Sequence, residues 1–354
     1  MKKIALLAIA ILLPMLVAAR MPRKRPAGLK DAYRKHFMMG VAVNQRNITD
    51  SAQINLICHN FNSITAENDM KPQPTEPHEG QFNWERADRV ANFCRKNNIP
   101  LRGHCLVWHN QIGNWMFTDS AGNEVSKEVL LNRIRKHIHA IVSRYKDIVY
   151  CWDVVNEAIT DDRRAENHFR QSRLYKICGD DFIRVAFQAA HEADPKALLF
   201  YNDYNECDSM KSLRIYEMVK GMKKDGVPID GIGMQGHYNI YSPKAEEVER
   251  AIKLYESIVD HIHVTELDVR VNREMGGNLQ FSKEGAEISD EIREFQEQQY
   301  ETLFNIFRQH AEVIDCVTFW NLSDRDSWLG AKNYPLLFDV NYQPKPVYEK
   351  VLRF

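Results

Sequence analysis

The sequence has no CxxC pair, although it holds seven cysteines: Cys58, Cys94, Cys105, Cys151, Cys178, Cys207 and Cys316. A zinc ribbon or a thioredoxin-type site is therefore not indicated. Also missing is HExxH, the signature of a helical zinc peptidase. The first apolar run, in MMGVAVNQRN, is not followed by GxGxxG, which weakens a dinucleotide-binding, doubly wound sheet. Neither charge is in excess: 47 Lys and Arg stand against 48 Asp and Glu. No basic face is present to attract nucleic acid or an anionic membrane, and a neutral substrate fits this balance. Residues 30–354 contain no low-complexity linker and no internal repeat.

The N-terminus differs from the rest. Lys2 and Lys3 precede an almost wholly apolar run, Ile4 to Val17, and Val17-Ala18-Ala19 offers small residues for cleavage. Residues 1–19 read as a secretory signal peptide, too short for a comfortable membrane span. The expectation is an exported protein, periplasmic or extracellular, with a linker at 20–29 and one domain at 30–354. No later apolar stretch is long enough to cross a bilayer, so the mature form is expected off the membrane and monomeric. Cys58, Cys105, Cys151 and Cys316 sit inside apolar runs and read as small buried hydrophobes. An odd count in an exported chain leaves at least one free thiol or an intermolecular bond.

What is present is an alternation. β-rich runs occur at Met38–Asn44, Ser63–Asn68, Pro100–His109, Ile148–Glu157, Ala197–Asn205, Gly231–His237, His261–Val269 and Cys316–Asp324. Helical periodicity fills intervals between them, at Trp84–Asn97, Ser126–Tyr145, Asp180–Ala193, Ser209–Lys224, Ala245–Asp260 and Asp290–His310. In the clearest, Ser126 is placed to cap, and Leu130, Ile134, Ile138, Ile141, Val142 and Tyr145 recur at helical spacing. Eight such units predict an α/β fold, a closed (β/α)8 TIM barrel.

In such barrels chemistry gathers where strands finish. The finishing residues here are Glu67 and Asn68; His104, Trp108 and His109; Asn156 and Glu157; Tyr204 and Asn205; Gln235 and His237; Glu266 and Asp268; and Trp320. Alternation places Ile262, Val264, Glu266 and Asp268 on one face, so His261 and His263 are expected to face the helices. A carboxylate turned into a barrel mouth is costly to desolvate unless paired or used. Glu157 and Glu266, on separate strands, suit hydrolysis of a glycosidic bond, one as acid and the other as nucleophile or base. Trp108, Trp320 and Trp328 offer flat faces for sugar rings. Two alternatives stay open: a metallohydrolase collecting His104, His109, Asp203, His237 and Glu266, and a noncatalytic sugar-binding barrel.

The stretches TAENDMK, RGHCLVWH, WDVVNE, YNDYN, GMQGH, VTELDV and FWNLSDRDSW together resemble glycoside hydrolase family 10, the endo-1,4-β-xylanases, across essentially all of 30–354. The resemblance implies a retaining mechanism on xylan and xylo-oligosaccharides, without cofactor or metal. Glu157 would be the acid/base and Glu266 the nucleophile, their carboxyl groups about 5–5.5 Å apart. His237 would bond Glu266 and be oriented by Asp268. Asn156 would touch the sugar 2-hydroxyl. Glu67, Asn68, Lys71, His104, Trp108 and Gln235 would line the glycone side, with Tyr204 and Asn205 toward the aglycone. Trp320 and Trp328 would roof the pocket and obstruct glucose, which carries a hydroxymethyl group that xylose lacks. Asn321 stands where many members have Gly, and Leu329 where many have Arg, so the roof's shape is expected to depart from theirs.

Overall fold

The structure is a computed structural model that describes residues 27–272 and 288–354. The leader and all but the end of the linker segment lie outside those residues. Among the described residues nine strands form in chain order: β1 (Met38–Val43), β2 (Ser63–Ala66), β3 (Leu101–Trp108), β4 (Val149–Asn156), β5 (Leu198–Asp203), β6 (Gly231–Met234), β7 (His237–Asn239), β8 (His261–Arg270) and β9 (Ile314–Phe319). All pairings between them are parallel. β1 to β6 neighbour one another in order, β6 pairs with β8, β8 with β9, and β9 returns to β1. Eight strands thus close a barrel, and β7 is a short addition on the upper end of β8.

Helices between the strands cover the outside, as parallel crossovers require. The helix Lys127–Tyr145 carries its apolar stripe inward, with Leu130, Ile134, Ile138, Ile141, Val142 and Tyr145 all buried. The Ser126 hydroxyl accepts from the Val129 N–H at 3.3 Å and caps it. A helix over Ser51–Asn60 has no counterpart in the apolar pattern, because its buried positions include Gln53 and Asn60. Leu29, at the end of the segment read as linker, is fully buried in the core.

Each expected strand exists, but several stop short of the polar residues assigned to their ends. Glu157, Asn205 and Asn321 have φ of 58°, 53° and 92° and leave the extended conformation just past β4, β5 and β9. The Gly231–His237 run is broken in two, with Gly236 at φ 79° between β6 and β7. GIGMQG within it spells GxGxxG, yet it lies along a barrel strand and not at a strand-to-helix turn.

One facing expectation is corrected. His263 points into the barrel, not toward the helices: its Nδ1 accepts from Arg102 Nε at 3.2 Å and its ring lies 4.2 Å from Phe200. The register of β8 against β9 shifts between Val264 and Leu267. That bulge lets His263, Thr265 and Glu266 all reach the interior, which strict alternation forbids.

Candidate active site

The strand registers put the chemistry on one rim. Trp108 pairs with Asn156, Asn156 with Asn202, Asp203 with Met234, and His237 with Asp268. All but His237 lie at or near the carboxyl ends of their strands, and His237, which opens the short β7, pairs with the upper part of β8, so these positions gather at the same end of the barrel.

Glu157 is held by three side chains. Its Oε1 accepts from Gln235 Nε2 at 3.0 Å and Asn156 Nδ2 at 3.2 Å, and its Oε2 accepts from Trp108 Nε1 at 2.9 Å. Its backbone N–H donates to the Asn202 carbonyl at 2.9 Å, which fixes the left-handed turn that aims the side chain. A glutamate in that region is uncommon, and the conformation is of the kind found at functional sites. Burial raises the Glu157 carboxyl above its ordinary value, and nearby Asp203 and Glu266 push the same way. The bonds from Gln235 and Trp108 only partly offset this.

Glu266 is set the other way. Burial opposes its charge, but His237 and His104 outweigh that and hold the carboxyl below its ordinary value. Its Oε1 accepts from Asn202 Nδ2 at 2.9 Å, and its Oε2 lies 3.1 Å from His237 Nε2. His237 Nδ1 in turn meets Asp268 Oδ2 at 2.9 Å. Burial disfavours the imidazolium, yet the two carboxylates lift His237 to about 10. It is therefore cationic across neutral pH and donates from both nitrogens. Asp268 also accepts from Trp328 Nε1 at 2.9 Å, and the Trp328 ring sits 4.9 Å from His237.

Asn202 joins the two carboxyls. Its Nδ2 donates to Asn156 Oδ1 and to Glu266 Oε1, both at 2.9 Å, while its Oδ1 accepts from Thr265 Oγ1 at 2.7 Å. Room for it comes from Gly233, where a Cβ would lie 2.2 Å from Asn202 Oδ1. Asn202 was not among the residues the sequence singled out. The signal was an Asn-Asp pair inside a buried strand, where alternation calls for one apolar member.

The remaining expected residues fall in two groups. On one side Lys71 Nζ donates to Asn68 Oδ1 at 2.8 Å and sits 4.9 Å from the Trp108 ring and 5.8 Å from Trp320. Burial raises the nearby Glu67 carboxyl, against bonding from Asn321 and the charge of Lys71. His104 lies edge-on to Trp320 at 5.2 Å and bonds Asp153 Oδ2 at 2.8 Å. Asp153, also overlooked, is clamped by Arg102. Burial opposes its ionisation, but Arg102 and His104 hold it at about 2. On the other side Asn205 Nδ2 donates to Asp161 Oδ1 at 3.2 Å, and Arg170 Nη2 donates to the Tyr204 hydroxyl at 2.8 Å. Arg170 Nε also holds the Glu157 carbonyl at 2.9 Å, which ties this group to the Glu157 turn. Among the described residues no three His, Cys, Asp or Glu side chains are grouped so that they could hold a metal ion.

A barrel rim carrying two carboxyls in opposed electrostatic settings, with indoles around them, has the means to break a glycosidic bond. A family model described as Glycosyl hydrolase family 10 matches residues 28–354, and the chain belongs to that family. It is 55% identical over 329 residues to an endo-1,4-beta-xylanase/feruloyl esterase of Xylanibacter ruminicola, covering 90% of this chain but 45% of that larger protein. It is 41% identical over 330 residues to endo-1,4-beta-xylanase B of Paenibacillus barcinonensis, covering 92% of this chain and 97% of that one. Among solved structures, a psychrophilic family 10 endo-beta-1,4-xylanase matches with a TM-score of 0.89 and 59% identity, over 92% of this chain and 99% of that one.

Proposed function

We propose that the protein is an exported endo-1,4-β-xylanase that cleaves internal xylosidic bonds of xylan with retention, through a covalent glycosyl-enzyme. The observation that carries this reading is the electrostatic division of the pair: Glu157 biased toward its acid form, Glu266 toward its carboxylate. In the first step Glu266 attacks the anomeric carbon, the glycosidic C–O bond breaks, and the Glu157 proton passes to the departing oxygen. In the second, Glu157, now a carboxylate, takes a proton from water, whose oxygen displaces Glu266 and restores both groups.

The supporting residues follow from their contacts. His237 and Asp268 hold the nucleophile ionised. Asn156 lies beside Glu157, where it can meet a sugar hydroxyl. Glu67, Asn68, Lys71, His104, Trp108 and Gln235 line one side of the cleavage point, Tyr204 and Asn205 the other, with Trp320 and Trp328 above. Names of relatives favour xylan over β-1,4-glucans. The test is release of reducing sugar from linear xylan by pure protein and by Glu266→Ala. The wild type should release it and the variant should lose about 10²-fold or more, as expected on removing a nucleophile. Undiminished cleavage by the variant would overturn the assignment.

A further inference from the structure

The chain breaks between β6 and β7, and a residue with no part in the proposed chemistry holds the break. At Gly236 the backbone turns through φ 79°. Most of the peptide groups around that turn are paired with neighbouring strands. The Gln235 N–H donates to the Asp203 carbonyl at 3.0 Å. The Gln235 and Gly236 carbonyls accept from the Glu266 and Asp268 N–H groups at 2.8 and 3.2 Å. The Gly236 N–H has no strand to meet, because β5 ends at Asp203 and the chain turns away at Asn205, with φ 53°. A buried N–H without an acceptor is costly. Glu206 supplies one: its Oε1 accepts from Gly236 N at 3.2 Å and from the Tyr238 hydroxyl at 2.6 Å.

Glu206 is itself fixed in place. It is 1% exposed, and its carbonyl accepts from the Tyr255 hydroxyl at 2.9 Å, on the helix Ala245–Glu256. Arg250 of the same helix donates to the next carbonyl, that of Cys207, at 2.8 Å. Glu206 Oε2 is buried with no hydrogen-bond partner among the described residues. Burial lifts the carboxyl above its ordinary value, and Tyr238, the Gly236 N–H and the charge of His237 offset this only in part. Cys207 and Tyr255 are the other titratable groups that face it. A carboxyl so placed serves as a fixed acceptor and not as a counter-charge. On either side of the turn it grips, Gln235 Nε2 reaches Glu157 Oε1 at 3.0 Å and His237 Nε2 reaches Glu266 Oε2 at 3.1 Å.

Resting on the xylan-cleaving reading above, we propose that Glu206 is a positioning residue for the cleavage reaction: by holding the Gly236 N–H it fixes the turn that delivers Gln235 to Glu157 and His237 to Glu266. One acceptor then stands behind both members of the pair, without touching the sugar.

The experiment measures kcat, KM and the pH profile of kcat/KM on a linear xylo-oligosaccharide for wild type, Glu206→Ala, Glu206→Asp and Glu206→Gln. In Glu206→Ala, kcat should fall about tenfold with little change in KM, the pattern of misaligned catalytic groups. Both limbs of the profile should move to higher pH by about half a pH unit, the scale of one weakened hydrogen bond. They move the same way because the Gln235 and His237 bonds favour the charged forms of Glu157 and Glu266. Loss of folded protein alone would lower the whole profile and move neither limb. Glu206→Gln keeps an oxygen for the Gly236 N–H and removes the charge, so its limbs should stay and its kcat remain within about twofold of wild type. Glu206→Asp keeps the acid but draws its oxygens back from Gly236, so it should behave as Glu206→Ala does. The Asp and Gln variants carry the test if Glu206→Ala does not fold. Unmoved limbs in Glu206→Asp, or limbs moved as far in Glu206→Gln as in Glu206→Asp, would overturn the proposal. Absence of cleavage by the wild type sinks the xylanase reading, while normal wild-type cleavage with unmoved limbs in Glu206→Asp sinks only the role of Glu206.

Discussion

At the scale of single residues, the proposed mechanism rests on opposed proton affinities in two glutamates of identical chemistry. Glu157 is buried near Asp203 and Glu266, so its acid form persists above the ordinary carboxyl range. Glu266 faces the cationic His237, so it loses its proton below that range. The kcat/KM profile on linear xylo-oligosaccharide should be bell-shaped, its acid limb set by Glu266 and its alkaline limb by Glu157. Trp108→Phe removes the indole N–H from Glu157 Oε2. That bond favours the charged form, so its loss should move the alkaline limb to higher pH while the acid limb stays. A downward move, measured in the same titration, would contradict the assignment of that limb to Glu157.

The next scale is the element. Several site residues sit where a strand has just ended or is interrupted, and these were the hardest positions to read. Alternation found the strands and their polar ends, and helical spacing found the apolar members of the Lys127–Tyr145 stripe but not the buried His137 among them. It could not find the β8 bulge, because an extra residue in a ladder leaves no mark in an apolar pattern. Hence His263 was turned the wrong way while Glu266 was turned the right way. Asn202 escaped because its neighbour Asp203 and the later Tyr204 and Asn205 made a more obvious polar end. The family motifs supplied roles for the residues they contain; they gave no warning that Asn202 carries both catalytic strands' side chains. Gly233→Ala tests that element-level link. Its Cβ would enter the space of Asn202 Oδ1, so kcat should fall at least tenfold with little change in KM for linear xylo-oligosaccharide, the pattern of a misaligned pair. Wild-type kinetics in that variant would show that Asn202 is not needed to join the two sides.

The scale of the whole molecule is set by closure. β9 returning to β1 brings residues far apart in the chain to one rim, and the interior below that rim is filled partly by charge. Arg102 and Asp153 are both buried there, linked to each other, to His104 above and His263 beside them. The pair spans neighbouring strands at the barrel's centre, so removing one member strands the other. Asp153→Ala should destabilise the fold by about 3–5 kcal/mol in urea unfolding at neutral pH. Because Asp153 is held at about 2 against an ordinary 3.8, its contribution is complete above 3.8 and disappears as pH falls through 2. The stability gap between the wild type and Asp153→Ala should therefore narrow only at that acid extreme. A variant as stable as wild type at pH 7 would show that the network is not what holds the barrel centre.

The central claim is that Glu266 bonds to the sugar before water does. Proton NMR of the anomeric signals during the first minutes of hydrolysis of a linear xylo-oligosaccharide tests it most directly. The newly formed reducing end should appear first as the β anomer and only later mutarotate. Initial appearance of the α anomer would mean a single displacement by water and would contradict it.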